Sequence, residues 1–271
     1  MSLEFKGPVC QLLGIRYPIF QAGMVWVSGA KLAAASANAG ILGVMGAGSM
    51  KPELLRSQLQ KAKTLLAPTA AGKLALNVPL LYKGAEEQLN IALEEGIRIF
   101  VTSAGSPKLH TKRLKDAGAK VIHVTSTPDL ALKCQDAGVD AVVCEGFEAG
   151  GHNGRDEITS LCLIPQVAKV IKIPLIAAGG FATGQSIAAA FCLGAHGVQM
   201  GTRFLATQES SAHANFKQAV LKARFDETFL AMKKLVPVRL MKNSFYQQVQ
   251  KMEEACASPA QLETLLGKGR A

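Results

Sequence analysis

Nine consecutive residues, Gly146-Phe147-Glu148-Ala149-Gly150-Gly151-His152-Asn153-Gly154, set one histidine among four glycines. Histidine titrates near neutral pH, so it can take up or release a proton under ordinary conditions. Glycine lets backbone N–H groups approach a ligand closely. The loop leaves the apolar run Val139-Asp140-Ala141-Val142-Val143-Cys144, which reads as a strand buried on both faces of a parallel sheet. An ordinary turn needs one or two glycines, so this loop is expected to face a ligand. The plainer alternative is a flexible connection whose histidine caps a helix. In a site, His152 could abstract a proton when neutral, steady an anion when protonated, or only hydrogen-bond the edge of a ligand.

Two more stretches point to an anion: Ala178-Gly179-Gly180 and Gln199-Met200-Gly201-Thr202. Each ends an apolar run, and bare backbone amides near helix N-termini hold phosphate groups. Tight turns without a ligand are the alternative. No His, Cys, Asp or Glu cluster has metal-site spacing, and no serine is set in G-x-S-x-G, so no metal is expected.

A recurring phrase positions these stretches: an amphipathic segment, then glycine, then a short apolar run. It occurs at Asn38-Ala39-Gly40, Glu94-Glu95-Gly96, Asp116-Ala117-Gly118, Asp136-Ala137-Gly138 and Leu193-Gly194-Ala195. Glycine just past a helix end adopts the left-handed conformation that stops the helix. Ser106-Pro107, Thr127-Pro128 and Ser258-Pro259 each place a capping hydroxyl before a proline suited to the first helical position. The apolar runs predict eight strands, at about 18–21, 41–46, 73–78, 97–102, 119–124, 139–145, 174–178 and 196–200. Eight alternating βα units call for a closed (β/α)8 TIM barrel in the α/β class rather than an open sheet. The first loop, Gln21-Ala22-Gly23-Met24-Val25-Trp26, is not G-x-G-x-x-G, which argues against a dinucleotide fold. From about 208 onward only helical patterns are read. The expected organisation is a barrel over residues 1–207 and a helical substrate cap over 208–271.

In such barrels the active site lies where the strands end. Gly23 and Met24 fall there after the first strand, and Asn77 ends the third. Thr102 follows on the fourth strand, His123 on the fifth and Glu145 on the sixth. The glycine pairs follow the seventh and eighth. His123 is equally readable as a satisfied core histidine.

Composition narrows the function classes. The chain has 271 residues, is 49% hydrophobic and carries a net charge of +10. Its basic residues are spread out without interleaved aromatics, so nucleic acid is not an expected partner. No run approaches roughly 18 apolar residues, and no membrane span is expected. The six cysteines form no C-x-x-C pair and suit a reducing cytoplasm. The N-terminus, Met1-Ser2-Leu3-Glu4-Phe5-Lys6, lacks the apolar core of a signal peptide. A homodimer is left open.

Taken together, Gln21-Ala22-Gly23-Met24, Asn77, the 146–152 loop, Ala177-Ala178-Gly179-Gly180-Phe181 and Gln199-Met200-Gly201-Thr202-Arg203-Phe204 resemble the nitronate monooxygenases, with the flavin-dependent enoyl-acyl-carrier-protein reductases as close relatives. The resemblance runs from about residue 10 to 267. It implies an FMN-dependent TIM barrel with the flavin phosphate on the seventh and eighth strand loops. It also implies Asn77 and the Met24 segment beside the isoalloxazine, and His152 over the substrate. The flavin-binding set is then Ala22, Gly23, Met24, Asn77, Thr102, His123, Glu145, Gly150, Gly151, Gly179, Gly180, Gln199, Met200, Gly201 and Thr202. The implied reaction oxidises an alkyl nitronate or nitroalkane with dioxygen to a carbonyl compound and nitrite. Val121-Ile122-His123-Val124-Thr125-Ser126, Gly154-Arg155-Asp156-Glu157 and Thr202-Arg203-Phe204-Leu205-Ala206-Thr207 resemble the nitronate enzymes more than the reductases. Enoyl-acyl-carrier-protein reduction with NAD(P)H is the alternative, and a flavin-free phosphosugar isomerase or aldolase a more distant one. Both resembling groups usually continue past Leu265-Leu266-Gly267-Lys268-Gly269 into a glycine-rich segment that returns to the flavin.

Overall fold

The eight apolar runs become eight strands of one closed parallel barrel in the computed structural model, which describes residues 5–266. Most of the N-terminal segment and the Gly267-Lys268-Gly269 stretch lie outside the described residues. The barrel begins with β1 (Ile19–Gln21), β2 (Leu42–Gly46), β3 (Lys73–Pro79), β4 (Ile99–Ser103), β5 (Lys120–Thr125) and β6 (Ala141–Glu145). A two-residue strand, β7 (Gly151–His152), stands outside it. Then β8 (Leu175–Ala178) and β9 (Gly197–Met200) complete the ring, and β9 pairs back onto β1. Helices α1 (Pro8–Leu13), α2 (Ala30–Asn38), α3 (Pro52–Thr64), α4 (Ala85–Glu94), α5 (Thr111–Asp116), α6 (Pro128–Asp136), α7 (Ser160–Val170), α8 (Gly184–Cys192) and α9 (Thr202–Leu205) precede or separate the strands. No helix among the described residues is long and apolar enough to cross a membrane.

Period-two alternation divides the core. Phe20, Leu42, Val44, Ala75, Val101, Ile122, Val143 and Ile176 fill the barrel interior, with Val9, Cys10 and Leu13 of α1 packed in the same cluster. Their neighbours along the strands, such as Met45, Leu76, Phe100, Val121, Val142 and Ala177, meet Leu55, Leu59, Leu89, Leu114 and Leu163 of the helices. The interior is therefore filled by side chains, and chemistry is confined to the strand ends.

The helix-stop glycines behave as expected: Gly40, Gly96, Gly118, Gly138 and Gly194 all have positive φ. Thr127 caps α6 by accepting from the Leu130 amide at 3.2 Å. At Ser258-Pro259 the Gln261 side chain accepts from the Ser258 amide at 2.8 Å, as in a capping box. Ser106-Pro107 departs from expectation. It opens a turn, and α5 starts only at Thr111, whose hydroxyl donates to the Pro107 carbonyl at 2.6 Å.

The region after 207 also differs from the helices-only reading. It holds α10 (Ala214–Lys222), then β10 (Thr228–Ala231) and β11 (Val238–Met241), then α11 (Ser244–Glu254) and α12 (Pro259–Leu266). The two antiparallel strands have four residues each, too few for alternation to stand out among the lysines around them. Their third partner is β7, a distant strand that no local pattern announces.

The closest approach in the helical layer is at Gly43. A Cβ there would lie 1.9 Å from the Ala33 carbonyl oxygen of α2. Gly43→Ala should therefore push α2 off β2 and cost about 1–3 kcal/mol, the usual range for overpacking. Denaturant unfolding measures this; wild-type stability would contradict the packing.

Candidate active site

Three polar side chains share the inner face at the barrel mouth. Ala75 and Val143 point inward, so Asn77 and Glu145, two residues further along, do the same. Val198 points outward, which turns Gln199 inward. Glu145, Ala178 and Gln199 lie side by side on β6, β8 and β9, with the small Ala178 between the two polar groups. Gln199 is buried and its Oε1 has no hydrogen-bond partner. Such an acceptor is costly to leave alone, and a ligand N–H at the mouth would satisfy it.

The loop after β1 lies tightly over this face. A Cβ on Gly23 would come 2.4 Å from the Asn77 Cβ, and one on Gly46 would meet the Met24 backbone at 2.7 Å. Asn77 is held by its Nδ2 donating to the Val101 carbonyl at 2.9 Å. Gly179 and Gly180 have φ of 93° and 80°. A Cβ on Gly180 would sit 3.3 Å from the Glu148 Cβ, whereas one on Gly201 would meet only Met24 Sδ at 3.5 Å and Ala22 Cβ at 3.9 Å. Gly201 precedes α9, and Thr202 at its start is exposed. The residues expected after β1, β3, β6, β8 and β9 are thus gathered around one opening.

Three expected residues turn elsewhere. Thr102 and His123 alternate with the inward Val101 and Ile122, so they face the helical layer. They bond to each other, Thr102 Oγ1 to His123 Nδ1, at 2.7 Å. Burial pulls the His123 pKa down to about 4, against a hydrogen bond with the Gly105 backbone, so the ring is neutral. This is the satisfied core histidine that the sequence left open. Met200 likewise packs in the outer cluster, and its carbonyl accepts from the Ala22 amide at 2.9 Å.

The histidine loop is shaped by a residue whose role the sequence hid. Both carboxylate oxygens of Glu148 accept from the Ser160 amide, at 3.0 and 2.9 Å, at the first turn of α7. A negative charge is favourable at a helix N-terminus. The Ser160 hydroxyl donates to the Gly179 carbonyl at 2.6 Å. One helix end therefore joins the histidine loop to the β8 glycines. A capping acid normally lies within a turn of the helix, and here it lies twelve residues upstream. No local signal marks it.

Beyond Glu148 the loop is open. A Cβ on Gly150 or Gly151 would meet nothing within 4 Å, although Gly151 has φ of 81°. His152 pairs with Val238 of β11 and its residue is exposed. Desolvation by the surrounding protein lowers its pKa below the ordinary histidine value, which favours neutral imidazole at pH 7.

At the mouth, burial raises the Glu145 carboxyl from 4.5 to about 7. The folded protein then holds more protons than the unfolded chain between these values, so this group makes stability fall as pH rises from 4.5 to 7. Glu145→Gln should be more stable than wild type at pH 8, by no more than about 3 kcal/mol, with the gain absent at pH 4. Thermal unfolding of ligand-free protein at the two pH values reads this. An equal difference at both would exclude the buried acid.

The chain matches the nitronate monooxygenase family over residues 6–271. FabK from Thermotoga maritima superposes with a TM-score of 0.90 at 38% identity, over 97% of this chain and 82% of that one. Nitroalkane oxidase from Streptomyces ansochromogenes gives 0.80 at 28%, over 93% and 83%. A protein of Staphylococcus haemolyticus named probable nitronate monooxygenase is 34% identical, covering 83% of this chain and 75% of its own length. A Mycobacterium tuberculosis relative named (3aS,4S,5R,7aS)-5-hydroxy-7a-methyl-1-oxo-octahydro-1H-indene-4-carboxyl-CoA dehydrogenase is 35% identical, and the chain spans 63% of its length. With its parallel barrel, its glycine-lined mouth and this match, the chain belongs to the nitronate monooxygenase family.

Proposed function

We propose that the barrel mouth binds FMN and that the chain oxidises alkyl nitronates or nitroalkanes with dioxygen to carbonyl compounds and nitrite. The observation that carries the cofactor reading is the unpartnered Oε1 of Gln199 beside the glycines that end β8 and β9, of which Gly201 has room around it. A flavin ring offers an imide N–H that this acceptor would take. Backbone amides at Gly179, Gly180 and Gly201 would hold the phosphate, and Asn77 with the Gly23 and Met24 segment would flank the ring. When bound, FMN would supply the redox chemistry.

The chain's own part is binding and proton handling. His152, neutral at pH 7, would take the α-proton of a neutral nitroalkane. Residues 208–271 would cover the substrate, as β10 and β11 join β7 in one sheet and α11 and α12 pack with β10. All six cysteines are free, which suits the cytoplasm.

A second reading, reduction of an enoyl thioester by NAD(P)H, is favoured by the similarity to FabK and by apolar residues on the loops of the same face. Trp26, Leu81, Tyr82 and Leu109 are exposed there and would suit an acyl chain. NADH consumption that depends on an enoyl thioester separates it from oxygen uptake that depends on a nitronate.

Gly180→Asp should abolish FMN binding with the circular dichroism spectrum retained, because its carboxylate would repel the phosphate beside Glu148. Retained FMN affinity would refute the cradle. His152→Ala should keep FMN but lose about 10²–10⁴-fold on a neutral nitroalkane and much less on the matching nitronate, which has already lost its proton. The wild-type rate on the nitroalkane should rise with pH to a plateau, with its midpoint below 6.5, and the variant should lack that rise. Oxygen consumption reads both; equal losses on the two substrates would remove the base role.

A further inference from the structure

Two side chains brace the open glycine stretch of the histidine loop: Asn153 from within, its Nδ2 donating to the Ala149 carbonyl at 2.8 Å, and Arg239 from the small sheet. Backbone pairing joins Arg239 of β11 to Gly151, next to His152. Its guanidinium reaches back to the root of the same loop. Nε and Nη2 donate to the Phe147 carbonyl at 3.2 and 2.8 Å, and Cζ lies 4.8 Å from the centre of the Phe147 ring. Nη1 donates to Thr228 Oγ1 on β10 at 3.3 Å. One residue thus closes the span from Phe147 to Gly151 and ties it to both strands of the hairpin.

The other links between the two segments are of a different kind. Asn153 N donates to the Pro237 carbonyl at 2.8 Å, and the Arg155 side chain to the Leu235 carbonyl at 2.8 Å. Both attach beyond His152, and the glycines before it are held only by the short β7–β11 backbone ladder and the Asn153 side chain. Lys233 pairs with Glu157 in the open, where an ion pair contributes little. The ladder is only two residues long on β7 and two successive glycines ease its opening, so the Arg239 fork adds a brace at the root of the loop. The planar fork of arginine suits a carbonyl, a ring face and a hydroxyl together, which lysine cannot match.

We propose that Arg239 is a positioning residue that sets the placement of His152 for proton abstraction. This rests on the base role proposed for His152. The structural half of the claim can be read without any substrate, by amide hydrogen exchange over residues 147–157 of the intact protein. Arg239→Ala should exchange about tenfold faster there while the barrel strands stay unchanged. FMN content should be unaffected. The kcat on a neutral nitroalkane should fall by about 10–100-fold, the cost of a misplaced group, with a smaller loss on the nitronate and little change in KM. Arg239→Lys should recover part of both effects, and it carries the test in the same direction if the alanine variant does not fold.

Unchanged exchange over 147–157 would overturn the proposal. So would faster exchange with an unaltered kcat, since the contact would then serve stability alone. Failure of the base role itself shows separately, as a His152→Ala protein that uses the nitroalkane normally while the exchange result for Arg239 stands.

Discussion

The carboxylate of Glu148 on the first amide of α7, with the Ser160 hydroxyl on the Gly179 carbonyl, ties together the parts of this molecule that face a ligand. The histidine loop, a helix N-terminus and the β8 glycines meet there with no space to spare. A Cβ on Gly146 would come 2.2 Å from Ser160 Oγ, and one on Gly179 would come 2.6 Å from the Gly146 carbonyl. Loss of the carboxylate would leave a helix end uncapped and release the histidine loop from it. The glycines of the motif therefore serve two ends. Gly146 and Gly179 permit the knot, whereas Gly150 and Gly151 stay clear of it and leave room before His152.

A closed barrel makes the rest of the site follow from strand register. Its interior is filled with Leu, Val, Ile, Ala and Phe, so only the last inward residue of each strand can meet a ligand. Asn77, Glu145 and Gln199 hold those positions, and Thr102 and His123 miss them by one residue. A slip of one position along a strand exchanges the mouth for the helical layer. The same neighbourhood desolvates Glu145 and holds its proton to about pH 7.

Much of this was legible in the sequence. Apolar runs bounded by glycine located all eight barrel strands, because a strand buried on both faces must be apolar throughout and a helix must be stopped before it. The gathering of Gly23, Asn77, Gly180 and Gly201 at one opening followed from strand order alone. Whether His123 faces the ligand was not legible, because a run such as Val121-Ile122-His123-Val124 is apolar on both sides and does not show its inner face. The β10–β11 hairpin was hidden because its pairing with Gly151 and His152 is non-local. Arg239 was hidden with it, as one basic residue in a stretch where only helical patterns were read.

The most direct measurement is an absorption spectrum of the FMN-loaded protein during anaerobic addition of a nitronate, followed by air. The account predicts that the visible flavin band bleaches with nitronate alone and returns with oxygen as nitrite appears. A protein that takes up no flavin, or a bound flavin whose band is indifferent to nitronate, would contradict it.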